Sequence, residues 1–442
     1  MLKKITVFSS CILLSLPSLW AETKPMTLKE CMEYSVSQST KIKIQQAEIS
    51  DRRLEIRDAI LSAFTPAVSA STYGYFNFGR SIDPQTNTYF NLTSFHNNYS
   101  LSAYIDLFDG LAAVNNIKIS KTGLLISQSK EKQLEADLCL AVMEAFYNVL
   151  YYNRLYAVQA QLFEEAQESL VLVKKQEELG LKGYADVIQM EADMADRQYG
   201  LTVTENMAKD QLMTLKSLLF WDEPYELTID DSLPEFIDET ADTDFIVSVA
   251  LGNNPEIKMA RWNVDNAKRE YDTAKLQTLP TVTLYGGWNT SYYTYSGSVS
   301  PNYRNQFRNN MGEYIELGIT LPLYNRLKET TNIKKKKHAY NNARLELDQK
   351  SMDIEMEVRR AVQDCEGSSL AYLQASKKAE VQAEAFRLNQ MKLQQGLISP
   401  LEFQTANNNY LKAQADEMNS LFKFIIKRAV VKYYSGIDYL DQ

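Results

Sequence analysis

The sequence contains the stretch Gly180-Leu181-Lys182-Gly183-Tyr184-Ala185-Asp186-Val187, and a similar stretch follows at Gly396-Leu397-Ile398-Ser399-Pro400-Leu401-Glu402-Phe403. Two further pairs match in the same order: residues 65–69 with 279–283, and residues 102–108 with 318–324. All three matches lie at offsets of 214 to 216 residues. A repeated unit cannot bury its apolar face alone, so the duplication predicts one object built from two similar halves.

The duplication also divides the chain of 442 residues. Residues 1–21 are predicted to be a signal peptide, because Lys3-Lys4 precede an apolar run and Ala21 is a possible cleavage edge. The first repeat then spans 22–220 and the second spans 245–436, with an Asp-, Glu- and Pro-rich linker at 221–244 between them and a tail at 437–442. A lipid anchor at Cys11 is disfavoured because the preceding apolar region is short, and the exact cleavage site stays open.

Each repeat is predicted to begin with a helix, over residues 28–64 and 245–276, which a proline then ends at Pro66 or Pro280. The residue pattern after each proline changes to a period of two. Strands are predicted near 68–78 and 100–107 in the first repeat, and near 282–295 and 314–321 in the second. Polar loops are predicted between them, at 81–98 and 296–310.

The strands alternate apolar with polar side chains, which is the pattern of strands in a membrane barrel. Aromatic residues collect near the strand ends at 73–78 and 288–295. Two interpretations of these clusters stay open, an aromatic girdle at the membrane surface and ordinary packing on the sheet. No apolar run after residue 21 approaches the roughly 20 residues of a membrane-spanning helix, so any membrane insertion is expected to use the strands.

The longest predicted element is a helix over residues 111–179, followed by a glycine turn and a returning helix to residue 220. The second repeat has the same plan, with Pro322 at the exit of its last strand and the turn at Gly396. At 1.5 Å per residue, about 70 helical residues make a rod about 100 Å long, which indicates coiled-coil-like hairpins. Four strands cannot close a barrel, since the smallest need about eight. Several copies of the chain are therefore expected to pool their strands.

The chain resembles the TolC-like outer-membrane factors, also called outer-membrane efflux proteins. The resemblance rests on the duplicated helix–proline–strand–loop–strand–helix order, on the Leu321-Pro322-Leu323-Tyr324 strand exit, and on the Gly-Leu turns at Gly180 and Gly396. It implies a mainly α-helical fold in which long helical hairpins form an α-barrel. It also implies a homotrimer in which four strands per chain build one outer-membrane β-barrel of twelve strands in contact with lipid.

The same resemblance implies a function, a location and partners. The protein is expected in the outer membrane of a Gram-negative bacterium, extending into the periplasm. It is expected to be a passive exit duct of a tripartite efflux or type I secretion system, together with a periplasmic adaptor (membrane fusion) protein and an inner-membrane transporter. The cargo and the class of pump are left open. The alternative is a periplasmic helical-hairpin adaptor or scaffold that forms no channel, and the alternating strands favour the duct.

The resemblance places the functional residues at the hairpin tips. The tip turns, expected to dock the adaptor, comprise Gly180, Leu181, Gly183, Gly396, Leu397 and Ser399. Glu402 matches an acidic position just inside the entrance, where three copies would form a ring that favours cations. Thr405 stands where a second acid is common, and Asp186 is the counterpart in the first repeat. Ile398 replaces an arginine that latches the closed tip in some relatives, so the contrast with Lys182 is expected to affect gating.

Catalytic and cofactor motifs are absent from the sequence. His96 and His338 have no partner at metal-ligand spacing, and no phosphate-binding loop, dinucleotide fingerprint or hydrolase motif occurs. The net charge of −9 also argues against nucleic-acid binding. No enzyme activity, metal or cofactor is therefore expected, and a secreted coiled-coil enzyme is a remote third possibility.

Overall fold

Two long helical hairpins dominate the structure, a computed structural model that describes residues 25–82, 86–91, 93–233, 242–295 and 302–442. The first hairpin pairs α3 (Ala112–Glu178) with α4 (Tyr184–Leu219), and the second pairs α8 (Lys328–Gln394) with α9 (Pro400–Tyr434). The helices α3 and α8 have 67 residues each, as the duplication predicts. The predicted signal peptide, parts of the two predicted loops and part of the linker lie outside the described residues.

Each helix predicted at the start of a repeat is in fact two helices. The first is divided at Ser39 into α1 (Leu28–Gln38) and α2 (Thr40–Phe64), and the hydroxyl of Ser39 accepts a hydrogen bond from the amide of Ile42. The second is divided at Asn254 into α5 (Thr243–Asn253) and α6 (Pro255–Leu276). Serine and asparagine stabilise a new helix start by capping it, and a residue before proline avoids the helical conformation. The prediction of uninterrupted helices was wrong because apolar periodicity continues across such caps.

The sheet contains the four predicted strands, in the order β1 (Ala67–Asn77), β4 (Ser94–Phe108), β5 (Thr281–Tyr295) and β6 (Gly312–Thr320), and each neighbouring pair is antiparallel. The loop predicted at 81–98 instead contains the short hairpin of β2 (Arg80–Ile82) and β3 (Tyr89–Asn91), followed by the first residues of β4. The loop predicted at 296–310 contains the short helix α7 (Tyr303–Asn309). Both loop predictions were wrong for the same reason. A polar stretch can still form strands or a helix when its backbone amides and carbonyls have hydrogen-bond partners.

The register separates the side chains of the sheet onto two faces. The apolar face carries Val68, Ala70, Leu101, Ala103, Ile105, Val282, Leu284, Ile315, Leu317 and Ile319. The polar face carries Ser69, Ser71, Asn98, Ser100, Ser102, Asp106, Thr283, Asn289, Ser291, Glu316 and Thr320. Cross-strand hydroxyl pairs stabilise the polar face, with the Oγ atoms of Ser71 and Ser100 2.7 Å apart. The alternation predicted from the sequence therefore holds in the half of the sheet nearer the helices, whereas Asn97 and Glu313, farther from the helices, also lie on the apolar face.

The aromatic clusters at the strand ends divide between these two faces. The apolar face takes Phe76, Phe95, Tyr99, Trp288 and Tyr292, and the polar face takes Tyr73, Tyr75, His96, Tyr293 and Tyr295. Rings meet across strands on both faces, with centroids 4.9 Å apart for Phe76–Phe95 and 5.1 Å apart for Tyr75–His96. Adjacent residues of a strand point in opposite directions, so an aromatic girdle, if the chain forms one, can include only the aromatics of the apolar face.

The largest apolar core lies where the ends of both repeats meet. It contains residues of α1, α3, α4 and α9, including the fully buried Val142 and Leu215. The segment predicted as a surface linker adds Leu227 to this core, and the predicted tail adds Tyr439, whose ring stacks 4.8 Å from that of Tyr433. Within the described chain, no helix combines the length and hydropathy needed to cross a membrane.

The corners between sheet and helices repeat in the two halves. Pro66 lies between α2 and β1, Pro280 between α6 and β5, and Pro322 between β6 and α8. Just before each long helix the backbone is left-handed at two consecutive residues, Gly110-Leu111 and Arg326-Leu327. At Gly110 (φ +69°) an added Cβ would lie 2.5 Å from the carbonyl oxygen of Leu276 at the end of α6. Glycine is therefore needed there both for its φ and for the close approach of two backbones.

We expect Gly110→Ala to destabilise the protein by at least about 1–2 kcal/mol, the cost of a left-handed non-glycine residue, with the clash against Leu276 in addition. The midpoint of thermal unfolding of the purified protein measures this loss. Gly123→Ala is the matched control, because Gly123 is helical and its nearest neighbour is the flexible Arg52 side chain at 3.9 Å. The control should be neutral or slightly stabilising, by about 0.4–1 kcal/mol. Equal midpoints for the two variants would contradict the role assigned to this corner.

Candidate functional site at the tips of the helical hairpins

The two tip turns have the same backbone geometry. Gly180 and Gly396 adopt φ of +74° and +73°. In the first turn the amide of Gly180 donates to the carbonyl of Glu177, and the amide of Leu181 donates to that of Gln176. The second turn makes the equivalent pair of bonds at Gly396 and Leu397, each 2.9 Å long. This pairing is the Schellman motif, which satisfies the free carbonyls at a helix end and places glycine at the left-handed position.

The returning helices restart with acidic residues as caps. The amide of Ser399 donates to the Glu402 carboxylate at 2.9 Å, and the amide of Glu402 donates to the Ser399 hydroxyl at 3.2 Å. In the first repeat the amide of Gly183 donates to the Asp186 carboxylate at 3.1 Å. Both acids therefore satisfy free amides at a helix start, as in a capping box. The side chain of Glu402 is exposed, so the carboxylate also contributes charge at the tip.

The structure brings Lys182 and Ile398 together. The Nζ atom of Lys182 donates a hydrogen bond of 3.0 Å to the backbone carbonyl of Ile398. The first repeat thus supplies a cation at the tip, while Ile398 accepts this bond with its backbone and packs its side chain against the apolar cluster that contains Phe403. Thr405 is exposed, and its hydroxyl donates to the Leu401 carbonyl of its own helix at 2.9 Å. The sequence does not predict the Lys182 contact, because its acceptor is a backbone carbonyl, which every residue type has.

Further polar contacts join α4 to α9 above the tips. The side-chain amide of Gln189 donates to that of Gln404 at 3.0 Å, and the Arg197 guanidinium donates to the Asn408 amide oxygen at 2.6 Å. Together with Lys182–Ile398, these contacts join residues separated by 211 to 216 positions. Residues at or near equivalent places in the two repeats therefore face one another along this seam, which we call the α4–α9 seam.

A buried ion pair lies at the upper end of the α4–α9 seam. Arg197 and Asp193 are only 5% and 1% exposed, and their nearest N and O atoms are 3.2 Å apart. Burial raises the pKa of the Asp193 carboxyl, while the charge of Arg197 and hydrogen bonds from Arg197 and Gln404 oppose this rise. The sequence does not reveal this burial, because a charged pair at helical spacing looks the same whether or not another helix covers it.

Asn407 is a second buried polar group on α9. It is fully buried, and neither its amide oxygen nor its amide nitrogen has a hydrogen-bond partner in the described part of the chain. An unsatisfied buried amide costs free energy, about 1–3 kcal/mol. The neighbouring position on the same face, Phe403, packs instead with Leu162 and Phe386. The buried face of α9 near the tip is therefore not uniformly apolar.

Other candidate chemistry does not converge in the structure. His96 lies on β4 and His338 lies on α8, on different elements of the fold. Among the described residues, no group of three His, Cys, Asp or Glu side chains could hold a metal ion. The distinctive feature is therefore the pair of hairpin tips. The tips are joined by polar contacts and lie at the end of the long helices that is far from the sheet.

This arrangement defines a fold class, in which a small antiparallel β-sheet continues into long helical hairpins. The family model described as "Outer membrane efflux protein" matches residues 246–422, which cover most of the second repeat. A search of the curated proteins found no significant match.

Solved structures match almost the whole chain. The outer-membrane protein VceC of Vibrio cholerae has 16% identity and a TM-score of 0.74, with 92% of this chain and 96% of that chain covered. The CmeC outer membrane channel of Campylobacter jejuni has 15% identity and a TM-score of 0.74, with 94% and 85% covered. The open-state MtrE outer membrane channel of Neisseria gonorrhoeae has 16% identity and a TM-score of 0.72, with 92% and 88% covered. The resemblance to the TolC-like outer-membrane factors is confirmed: the chain has their fold, and its second half carries the sequence pattern of outer membrane efflux proteins.

We expect Arg197→Met to destabilise the α4–α9 seam by about 3–5 kcal/mol, because it leaves Asp193 buried without its counter-charge. The change should raise the pKa of Asp193 further. A raised folded-state pKa gives stability that is full below the unfolded pKa and is lost as pH rises through the folded value. The loss should therefore be larger at pH 8 than at pH 5, as measured by denaturant unfolding.

The control for this prediction is the double variant Asp193→Leu with Arg197→Met. It removes both charges, so it should recover most of the stability and lose the pH dependence. A single variant whose stability loss is the same at both pH values would show that Asp193 is not the group left uncompensated.

Proposed function

We propose that this protein is the outer-membrane exit duct of a tripartite efflux or type I secretion system, and that it acts as a homotrimer. The observation that carries the proposal is the four-stranded sheet, which has one apolar face and, among the described residues, two edge strands without a further partner, β1 and β6. Unpaired backbone groups are not tolerated in lipid, so a sheet that enters a membrane has to close. Because β1 and β6 run in opposite directions, β6 of one copy can pair antiparallel with β1 of the next.

The number of copies follows from two considerations. Eight strands is about the minimum for a membrane barrel, so at least two chains are required. The resemblance to TolC-like factors implies three chains and twelve strands. In such a barrel the apolar face contacts outer-membrane lipid, and the polar face lines the lumen. The hairpins then extend on the periplasmic side as a tunnel.

The helix α8 carries a second apolar surface that supports the same assembly. Its buried residues, such as Ile354, Val358 and Phe386, face its own hairpin and its neighbours in the chain. A separate stripe of exposed residues lies at helical spacing on the opposite side: Leu345, Met352, Met356, Leu370, Leu373, Val381, Leu388 and Met391. A long helix with two apolar sides is expected to be covered on both, which a neighbouring protomer would do.

The tips are proposed to dock the periplasmic adaptor. Leu181 and Leu397 follow the two glycines and are 71% and 69% exposed. Exposed leucines on a rigid turn offer apolar contacts to a partner. The transport energy would come from the inner-membrane transporter, since the sequence contains no nucleotide-binding motif. Opening and closing of the entrance would involve Lys182, Ile398, Asp186, Glu402 and Thr405.

Covalent crosslinking in intact cells tests the docking proposal. Crosslinked complexes purified from membranes should contain an adaptor and an inner-membrane transporter, and the transporter found would define the class of cargo. Leu181→Asp with Leu397→Asp should lose the adaptor while the trimer stays in the outer-membrane fraction. Trimers that keep the crosslinked adaptor despite both substitutions would contradict docking at the tips, and a soluble periplasmic monomer would contradict the duct.

We expect Met352→Glu with Met356→Glu to prevent assembly, because burying two carboxylates between protomers costs several kcal/mol. Light scattering coupled to gel filtration in detergent should then show single chains instead of trimers. Met352→Leu with Met356→Leu is the matched control, because it keeps both positions apolar and should leave the trimer intact. A stable trimer carrying both glutamates would place the protomer interface elsewhere.

Two substitutions of Glu402 can distinguish its charge at the entrance from its role as a helix cap. Glutamine can keep the bond to the Ser399 amide, as in other capping boxes, but it has no charge. If three copies form an acidic ring, Glu402→Gln should reduce cation selectivity and block by divalent cations in single-channel recordings. Glu402→Ala should do the same and should also destabilise the tip, by about 0.5–2 kcal/mol. Unchanged selectivity in the glutamine variant would leave Glu402 with its capping role alone.

A further inference from the structure

Three tyrosines stand close together on the polar face of the sheet. Tyr104 on β4 is directly opposite Tyr285 on β5, and their ring centroids are 6.1 Å apart. Tyr314 on β6 is opposite Gly287, the next residue of β5 on the same face. All three side chains are exposed in the single chain. They lie in the half of the sheet nearer the helices, away from the aromatic clusters at the outer strand ends.

Glycines on the neighbouring strands allow two of these rings to lie along the sheet. A Cβ added to Gly287 would lie 2.5 to 2.8 Å from Cε1, Cζ and the hydroxyl of Tyr314. A Cβ added to Gly318 would lie 3.2 Å from Cε2 of Tyr285. Each ring therefore occupies the space that a side chain on the next strand would fill. The rings cover the backbone on one side and leave the other side to the lumen.

The charge of this surface is negative. Glu316 is directly opposite Tyr285, which places their Cβ atoms about 5 Å apart, and it is two residues from Tyr314 on the same face of β6, about 7 Å along the strand. Asp106 is on the same face and accepts a hydrogen bond of 2.7 Å from Thr283. Over the described strands β1, β4, β5 and β6, this face contains no Lys or Arg. An anion would find no partner there, while a cation finds both π faces and carboxylates.

We propose that this surface binds organic cations, in particular planar aromatic cations, through Tyr104, Tyr285, Tyr314 and Glu316. Tyrosine faces attract cations through the ring quadrupole and stack on planar ligands, and a nearby carboxylate adds charge complementarity. The inference rests on the proposed function, because the polar face lines a lumen only if the sheet closes. Three copies per trimer would then give the barrel wall three weak sites for cationic cargo on its way out. Weak sites suit a duct, since cargo has to leave as well as enter.

Binding of ethidium, a fluorescent aromatic cation, to the purified trimer in detergent tests this proposal. The readout is fluorescence anisotropy. We expect Glu316→Gln to weaken binding about fivefold, and Tyr285→Leu by a similar factor, as exposed cation–π contacts and ion pairs of this strength allow. Binding of the aromatic anion 8-anilinonaphthalene-1-sulfonate should not weaken in Glu316→Gln.

Matched controls come from the apolar face of the same strands. Glu313→Gln removes a carboxylate three residues away on β6, and Tyr99→Leu removes a ring from β4, both from the side opposite the proposed site. Each should change ethidium affinity less than twofold. Heat-modifiable migration of every variant confirms that the barrel has formed before affinities are compared.

The outcomes separate the two proposals. A purified protein that is not a trimer and does not conduct in planar bilayers would overturn the proposed function. A conducting trimer that does not bind ethidium, or binds it equally well in Glu316→Gln, would overturn only the cation site. Equal losses in Glu316→Gln and Glu313→Gln would show a general effect of charge on the barrel, and would also overturn the site.

Discussion

The unpaired edges of the sheet are the constraint on which the rest of the structure depends. A strand in lipid has to satisfy every backbone amide and carbonyl, and one chain leaves β1 and β6 without a neighbour. Closure by further copies of the chain explains several features together: the separation of polar from apolar side chains, the second apolar stripe on α8, and the attachment of both hairpins to one end of the sheet. The proposed oligomer would thus be a consequence of strand count rather than an addition to the fold.

The duplication has its clearest consequence at the tips. Gly180 and Gly396 end their helices in the same way, and Asp186 and Glu402 cap the helices that follow. The residues that differ between the copies carry the contacts between them, as Lys182 does with the carbonyl of Ile398. The buried pair of Asp193 and Arg197 adds a charged element to the α4–α9 seam. The two hairpins are therefore joined by hydrogen bonds between polar groups. Such directional contacts fix the relative position of two helices better than apolar surfaces, which can slide past each other.

Much of the fold could be predicted from periodicity and duplication, since long helices and alternating strands carry strong patterns. The interruptions at Ser39 and Asn254 could not, because caps compete locally with a continuing apolar pattern. At the site, the glycine turns were predictable from residue type, whereas the Lys182 bond was not, because its acceptor is a backbone atom. Burial of Asp193 and Arg197 depends on the approach of α9, about 210 residues away in sequence. The division of the aromatics between two faces could be assigned only from the strand register, because a shift of one residue would exchange the two faces.

The central claim is that the strands close only when several copies share one barrel. Native mass spectrometry of the unaltered protein, extracted from the outer membrane in mild detergent, measures the number of chains directly. Closure by three copies predicts a single species with the mass of three mature chains, which dissociates to monomers only after heating. A folded species with the mass of one chain, stable in detergent and with its sheet intact, would contradict it.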